Sequence, residues 1–128
     1  MGVSVLFYVQ HLLGVGHLAR ASLIAQALVE QGVSVTLVTG GRPVDGFPGS
    51  GIEVVQLPPV SAGPNGFADL VCMDGQPVND EFRQNRSKIL VETLKVCNPD
   101  VVLIEAYPFG RRQMRFELEP LLEAAHRS

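Results

Sequence analysis

Cysteine is scarce in this chain, positive charge is not in excess, and no apolar run is long. Each shortage removes a class of protein. Cys72 and Cys97 are the only cysteines in 128 residues. Without a CxxC or a nearby histidine pair they make neither a zinc site nor a disulfide framework, and they read as reduced, partly buried thiols of a cytosolic protein. Ten Lys and Arg against thirteen Asp and Glu leave a formal net charge of −3. That balance argues against a general nucleic-acid binder, whose affinity would rest on a basic face. No stretch reaches the ~18 apolar residues needed to span a bilayer. The first six residues lack the basic region of a secretion signal, and Leu6 stands where a myristoylation motif wants Ser or Thr. There is no internal repeat and no low-complexity tract.

What remains is an ordinary globular composition, 46% hydrophobic and 18% charged, in a length that suits one domain with a real core. Apart from Lys88 and Lys95 the basic residues are arginines. Four of these (Arg111, Arg112, Arg115 and Arg127) fall in the last 18 residues, so a local anion site stays open.

Residues 3–9 are β-rich and nearly continuous in apolar character, as in a strand covered on both faces. Over residues 17–31, Leu18, Ala21, Ser22, Ala25, Leu28 and Val29 recur at three- and four-residue steps, one face of a helix that Gly32 stops. A second strand over 33–39 completes a βαβ unit, which implies parallel strands and a right-handed crossover. Residues 42–51 form a loop, 52–57 a third strand, and 60–78 a long loop rich in Gly, Pro, Asn and Asp. Asn79 is the expected N-cap of a helix with Phe82, Ile89, Leu90, Thr93, Leu94 and Cys97 on one face, ended by Asn98-Pro99-Asp100. Val101–Ile104 reads as a buried parallel strand. A last helix begins near Arg111, and Pro120 should break or kink it. The order β-α-β-loop-β-α-β-α predicts an open, doubly wound α/β sheet with helices on both faces. Its first and fourth strands should be central and adjacent. The segments at their carboxyl ends, residues 10–17 and 105–112, should then face each other across one accessible, concave crevice at the switch point.

The chemistry concentrates in those two segments. Gly14 and Gly16 lie between the first strand and the helix, where glycine lets the backbone approach a ligand and the helix offers unpaired N–H groups. Gly14-Val15-Gly16-His17-Leu18-Ala19 formally fits the dinucleotide fingerprint GxGxxG/A. In that fingerprint the first glycine follows the strand almost at once, and an acidic residue ends the second strand. Here Gln10 to Leu13 intervene, and Val38-Thr39-Gly40-Gly41-Arg42 carries no carboxylate. Arg42 would suit a 2′-phosphate, which keeps an NADP-binding domain as an alternative.

His17 is either a structural cap or a general base, since the helix dipole favours the neutral imidazole that can accept a proton. His11 could take either role. Arg111 and Arg112 are unfavourable at a helix N-terminus, so a bound anion or Glu105 must compensate them. Glu105 itself could act as a catalytic carboxylate, orient its loop or pair with an arginine.

Three blocks carry a resemblance. These are Phe7 to His17, the turn Val38-Thr39-Gly40-Gly41-Arg42-Pro43, and Glu105-Ala106-Tyr107-Pro108-Phe109-Gly110-Arg111-Arg112. Together they resemble a predicted bacterial glycosyltransferase group related to the MurG-like family, across essentially all 128 residues but only over the N-terminal half of such an enzyme. The resemblance implies the GT-B architecture, two Rossmann-like domains with the active site between them. This chain would be the N-terminal, acceptor-binding domain. The C-terminal domain, which lies outside the chain, would supply most of the nucleotide-sugar site.

By resemblance, Gly14, Val15, Gly16, His11 and His17 form the first glycine-rich loop, with His17 as candidate base for the acceptor hydroxyl. Pro108, Phe109 and Gly110, with Glu105, Arg111 and Arg112 beside them, form the second loop. The implied partners are a nucleotide-sugar donor and a hydroxyl acceptor, a lipid-linked one among the candidates, with no nucleic acid, cofactor or metal. The implied location is the cytoplasm, or the inner face of the membrane. Both loops are poorer in glycine than those of the family, so the substrate does not carry over. The rival is a stand-alone Rossmann-like binding or regulatory module without chemistry. A reading frame that continues past Ser128 separates the two, and the final helix reads like a boundary cut near a linker.

Overall fold

The structure, a computed structural model, describes residues 3–10, 16–41, 52–63, 66–72, 75–106 and 115–127. In chain order these form β1 (Ser4–Gln10), α1 (Gly16–Glu30), β2 (Ser34–Thr39), β3 (Glu53–Gln56), β4 (Ser61–Gly63), β5 (Gly66–Val71), α2 (Asp80–Cys97), β6 (Val101–Ala106) and α3 (Arg115–Arg127). Four strands make one all-parallel sheet in the order β3-β2-β1-β6, so the chain has the expected α/β arrangement.

Side chains alternate along a strand, and β1 divides its apolar residues between two cores accordingly. Val5, Phe7 and Val9 point to the face covered by α1, where they meet Ala21, Ala25, Val35 and Leu37. Leu6 and Tyr8 point to the other face and pack with Val38, Leu57, Leu90 and Leu94, and with Leu118 and Leu121 of α3. Helices therefore cover both faces: α1 on one, α2 and α3 on the other. This is why β1 reads as continuously apolar.

The helix ends follow local chemistry. After α1, Gly32 adopts φ +84°, while its N–H bonds Val29 O and that of Val33 bonds Leu28 O, both at 3.0 Å. That is a Schellman closure, and a side chain at a positive φ would be strained. At the start of α2 the Asn79 side chain accepts from Phe82 N at 2.8 Å, the expected cap. Asn98 closes the helix in the left-handed region, its N–H bonding Leu94 O.

Three expectations need correction. The long loop over residues 60–78 contains a two-stranded antiparallel sheet, β4 with β5. Its strands are short and glycine-bearing, so they carry no alternating apolar signal to set them apart from loop. The strand over 101–106 is adjacent to β1 but not central, since among the described residues it forms the sheet edge. Pro120 does not break the last helix, which runs from Arg115 to Arg127 with the proline inside it. The missing N–H removes one hydrogen bond, and burial of Leu118 and Leu121 outweighs that loss. The expected start of this helix near Arg111 lies outside the described residues, and its described part begins at Arg115. None of the described helices is long and apolar enough to cross a membrane.

Candidate functional site

Because β1, β2, β3 and β6 are parallel, their last residues (Gln10, Thr39, Gln56 and Ala106) all lie along one edge of the sheet. In an open α/β sheet that carboxyl edge is where ligands bind. The register sets Val9 opposite Glu105 and Gln10 opposite Ala106. The two segments expected to form the site therefore leave the sheet from neighbouring strand ends.

Of the expected site residues, Gly16 and His17 are the first two residues of α1, and Glu105 is the penultimate residue of β6. His11, Gly14, Val15, Pro108, Phe109, Gly110, Arg111 and Arg112 lie outside the described residues, as does the shape of the crevice. The dinucleotide alternative fits poorly. β1 runs as far as Gln10, so Gly14 does not follow it directly, and β2 ends at Thr39-Gly40 without a carboxylate.

Beneath this edge lies a cluster of polar side chains in the core. Arg86 of α2 and Glu117 of α3 are both 0% exposed and form an ion pair. Arg86 Nε donates to Glu117 Oε2 at 3.0 Å, and Nη2 donates to Oε1 at 2.8 Å. The remaining three N–H groups also find acceptors. Nη2 donates to Gln10 Oε1 at 2.8 Å, and Nη1 donates to Gly40 O and to Pro58 O, each at 3.2 Å. Five donors thus meet five acceptors, which is what a buried guanidinium requires. Glu117 accepts once more, from the Tyr8 hydroxyl at 2.6 Å. It stands in the first turn of α3, where the helix dipole favours a carboxylate.

Local backbone makes room for this cluster. A Cβ at Gly40 would collide with Gln10 Oε1 and with the Arg86 guanidinium, so only glycine lets β2 end here. The turn after β2 is held from the other side too. Val60 N donates to Gly40 O at 3.0 Å, and Gln56 Nε2 donates to Gly41 O at 3.0 Å. Reasoning from the residues alone missed Gln10, Arg86 and Glu117. A signal was present: Arg86 sits at four-residue spacing between Phe82 and Leu90, inside the apolar stripe of α2.

Among the described residues no three His, Cys, Asp or Glu side chains gather as a metal would require. In comparisons with known proteins, no family model matches the chain, and no curated protein or solved structure matches it either.

Two outcomes follow from the cluster. Removing one member of a fully buried pair strands the other charge, at a cost of about 3–5 kcal/mol. Arg86→Met should lower unfolding free energy in denaturant titration by that amount, and adding Glu117→Gln should recover much of it. A double variant no more stable than Arg86→Met would show that charge isolation is not the cause. The second outcome concerns pH. Burial, and then the Glu117 carboxylate, raise the Tyr8 pKa well above 10.0, with Arg86 opposing. The folded state therefore keeps a proton that unfolded tyrosine loses near pH 10. This contribution to stability is intact below pH 10 and declines as pH rises above it. Tyr8→Phe should show a shallower alkaline loss of stability than the parent, and parallel curves would refute the linkage.

Proposed function

We propose that this chain is the acceptor-binding half of a nucleotide-sugar-dependent glycosyltransferase of the MurG-like, GT-B type, with a Rossmann-like fold. The observation that carries this reading is the parallel pairing of β1 with β6, Gln10 beside Ala106, with α1 opening at Gly16-His17. It gives the segments bearing the sequence resemblance a common origin at the edge where such sheets bind ligands. A cytoplasmic setting, or the inner face of the membrane, belongs to the same proposal.

In this reading His17 takes the proton of an acceptor hydroxyl. The oxygen attacks the anomeric carbon of the donor, and the nucleoside diphosphate departs with the bonding electron pair. Backbone N–H groups at helix N-termini stabilise the charge that develops on the phosphates. His11, Gly14, Val15 and Gly16 on the first loop, and Glu105, Pro108, Phe109, Gly110, Arg111 and Arg112 on the second, contact the substrates. Most of the donor is held by a second domain.

Sugar transfer from nucleotide sugars, measured on the protein that carries this domain together with its donor domain, tests the proposal. His17→Ala should lower kcat by ~10²-fold, the scale of a lost general base, with the fold intact. Unchanged turnover would leave His17 a helix cap. Calorimetry of the 128-residue chain with UDP-sugars should show weak binding or none, because donor and acceptor must be held across two walls of a cleft. Sub-micromolar affinity would instead mark a self-contained nucleotide-binding protein.

A further inference from the structure

β6 has the composition of an inner strand and the position of an outer one. Val101, Val102, Leu103 and Ile104 are consecutive aliphatic residues, in register with Val5, Leu6, Phe7 and Tyr8 of β1. Those β1 residues are at most 4% exposed, whereas Val101 is 43% exposed and the next three are half-buried. Among the described residues no strand lies on the outer side of β6. The other edge of the sheet is built differently. β3 is four residues long and is bounded by Glu53 and Gln56, and a short strand carrying charge is one way in which edges are kept from pairing. In β6 the one charged residue, Glu105, follows the aliphatic run.

The helix beside this edge is uncovered too. Leu122 of α3 is 43% exposed and lines one groove with Val102, Ala125 and His126. Val102 and Ile104 pack into the core on this face, and Leu103 into the core on the other. A strand laid along β6 therefore meets apolar side chains on both faces of the sheet.

The helices say which strand belongs there. α1 covers the face of Val5, Phe7 and Val9 and leads from β1 to β2, one way along the sheet. α2 covers the opposite face and leads from the β3 end to β6, the opposite way. Opposite faces and opposite directions give the two crossovers the same hand, and parallel crossovers are right-handed in about 98% of cases. α3 lies on the same face as α2. A crossover of the same hand through α3 moves the chain in the direction α2 does, which is outward past β6.

We propose that the outer edge of β6, with Leu122 of α3 beside it, is the docking site for a parallel strand carried by the polypeptide that follows α3. That strand is about five residues long and apolar on both faces. Its backbone bonds the outward N–H and C=O groups of β6, which becomes the inner strand its composition describes. The inference does not rest on sugar transfer: an extended protein without transferase activity would sink that reading and leave this one to its own test.

Amide exchange and one substitution test it, in the 128-residue chain and in the protein extended through its reading frame past Ser128. Alternate residues of a parallel strand direct their N–H groups to opposite neighbours. In the 128-residue chain the alternate amides of β6 that face away from β1 should exchange as open-edge groups. In the extended protein the same amides should slow at least about 100-fold. Leu122→Lys should shift Tm by less than about 2 °C in the shorter chain, where the side chain meets water, as surface substitutions do. It should lower Tm by at least about 5 °C in the extended protein, where the strand covers it. If the shorter chain does not fold, both measurements on the extended protein decide. The proposal is overturned if the outward amides still exchange fast there, if Leu122→Lys costs the same in both proteins, or if the reading frame closes at Ser128. Protection that appears only with a concentration-dependent dimer would assign the edge to a second copy and overturn it equally.

Discussion

The Arg86–Glu117 pair is the constraint on which the rest of this arrangement depends. Neither charge reaches water, so each exists in the core only because the other is present and because every remaining donor is bonded. Meeting that condition takes contributions from β1, β2, the chain after β3, α2 and α3 together. The helices on this face cannot slide over the sheet as an all-aliphatic interface would permit, because a small shift would break several charge-assisted bonds at once. The apolar contacts of Leu6, Val38, Leu90 and Leu121 supply bulk stabilisation. The ion pair supplies the geometry.

Its position in the sheet is also informative. At the amino edge, β1 and β6 are tied by Ser4 N donating to Asp100 Oδ2 and by Asp100 N donating to Ser4 O, each at 2.8 Å. The Ser4–Asp100 side-chain bond is exposed, and exposed bonds of this kind add little to rigidity because water competes for every partner. At the carboxyl edge the ties are buried, charged and many. The buried, charged ties thus gather at the edge where β1 and β6 end side by side.

How far all this could be read from residues alone depends on the kind of signal. Periodicity located β1, α1, β2, β3, α2 and β6 to within a few residues, because strand and helix alternate sharply where Val, Leu and Ile mark the buried positions. The doubly wound topology, not periodicity, set Val101–Ile104 beside β1, where the structure also has it. The β4–β5 hairpin escaped, because a three-residue strand beginning at Ser61 has no period to detect. The central polar cluster escaped for a different reason. An arginine on a helix reads as solvated, and a glutamate near a helix start reads as a dipole partner. Neither reading asks whether one could neutralise the other 31 residues away. Gly40 looked like a turn residue, although its role is to make room for two side chains that nothing local identifies. The chemistry assigned to His11, Gly14, Val15 and the residues from Pro108 to Arg112 rests on motif and resemblance, and the described structure bears only on the strand and helix ends that flank them.

Pro120 shows how these levels interact. Taken locally, a proline inside a helical segment costs about 3 kcal/mol and predicts a break. Yet α3 is fixed on both sides of the proline, by Glu117 in the ion pair and by Leu118 and Leu121 in the core. A break there would withdraw Glu117 from Arg86 or Leu121 from the apolar cluster, and either loss rivals or exceeds that of one helix hydrogen bond. Tertiary contacts of this size override a local preference, so the helix continues. The buried pair thus determines the course of a helix as well as the position of strand ends.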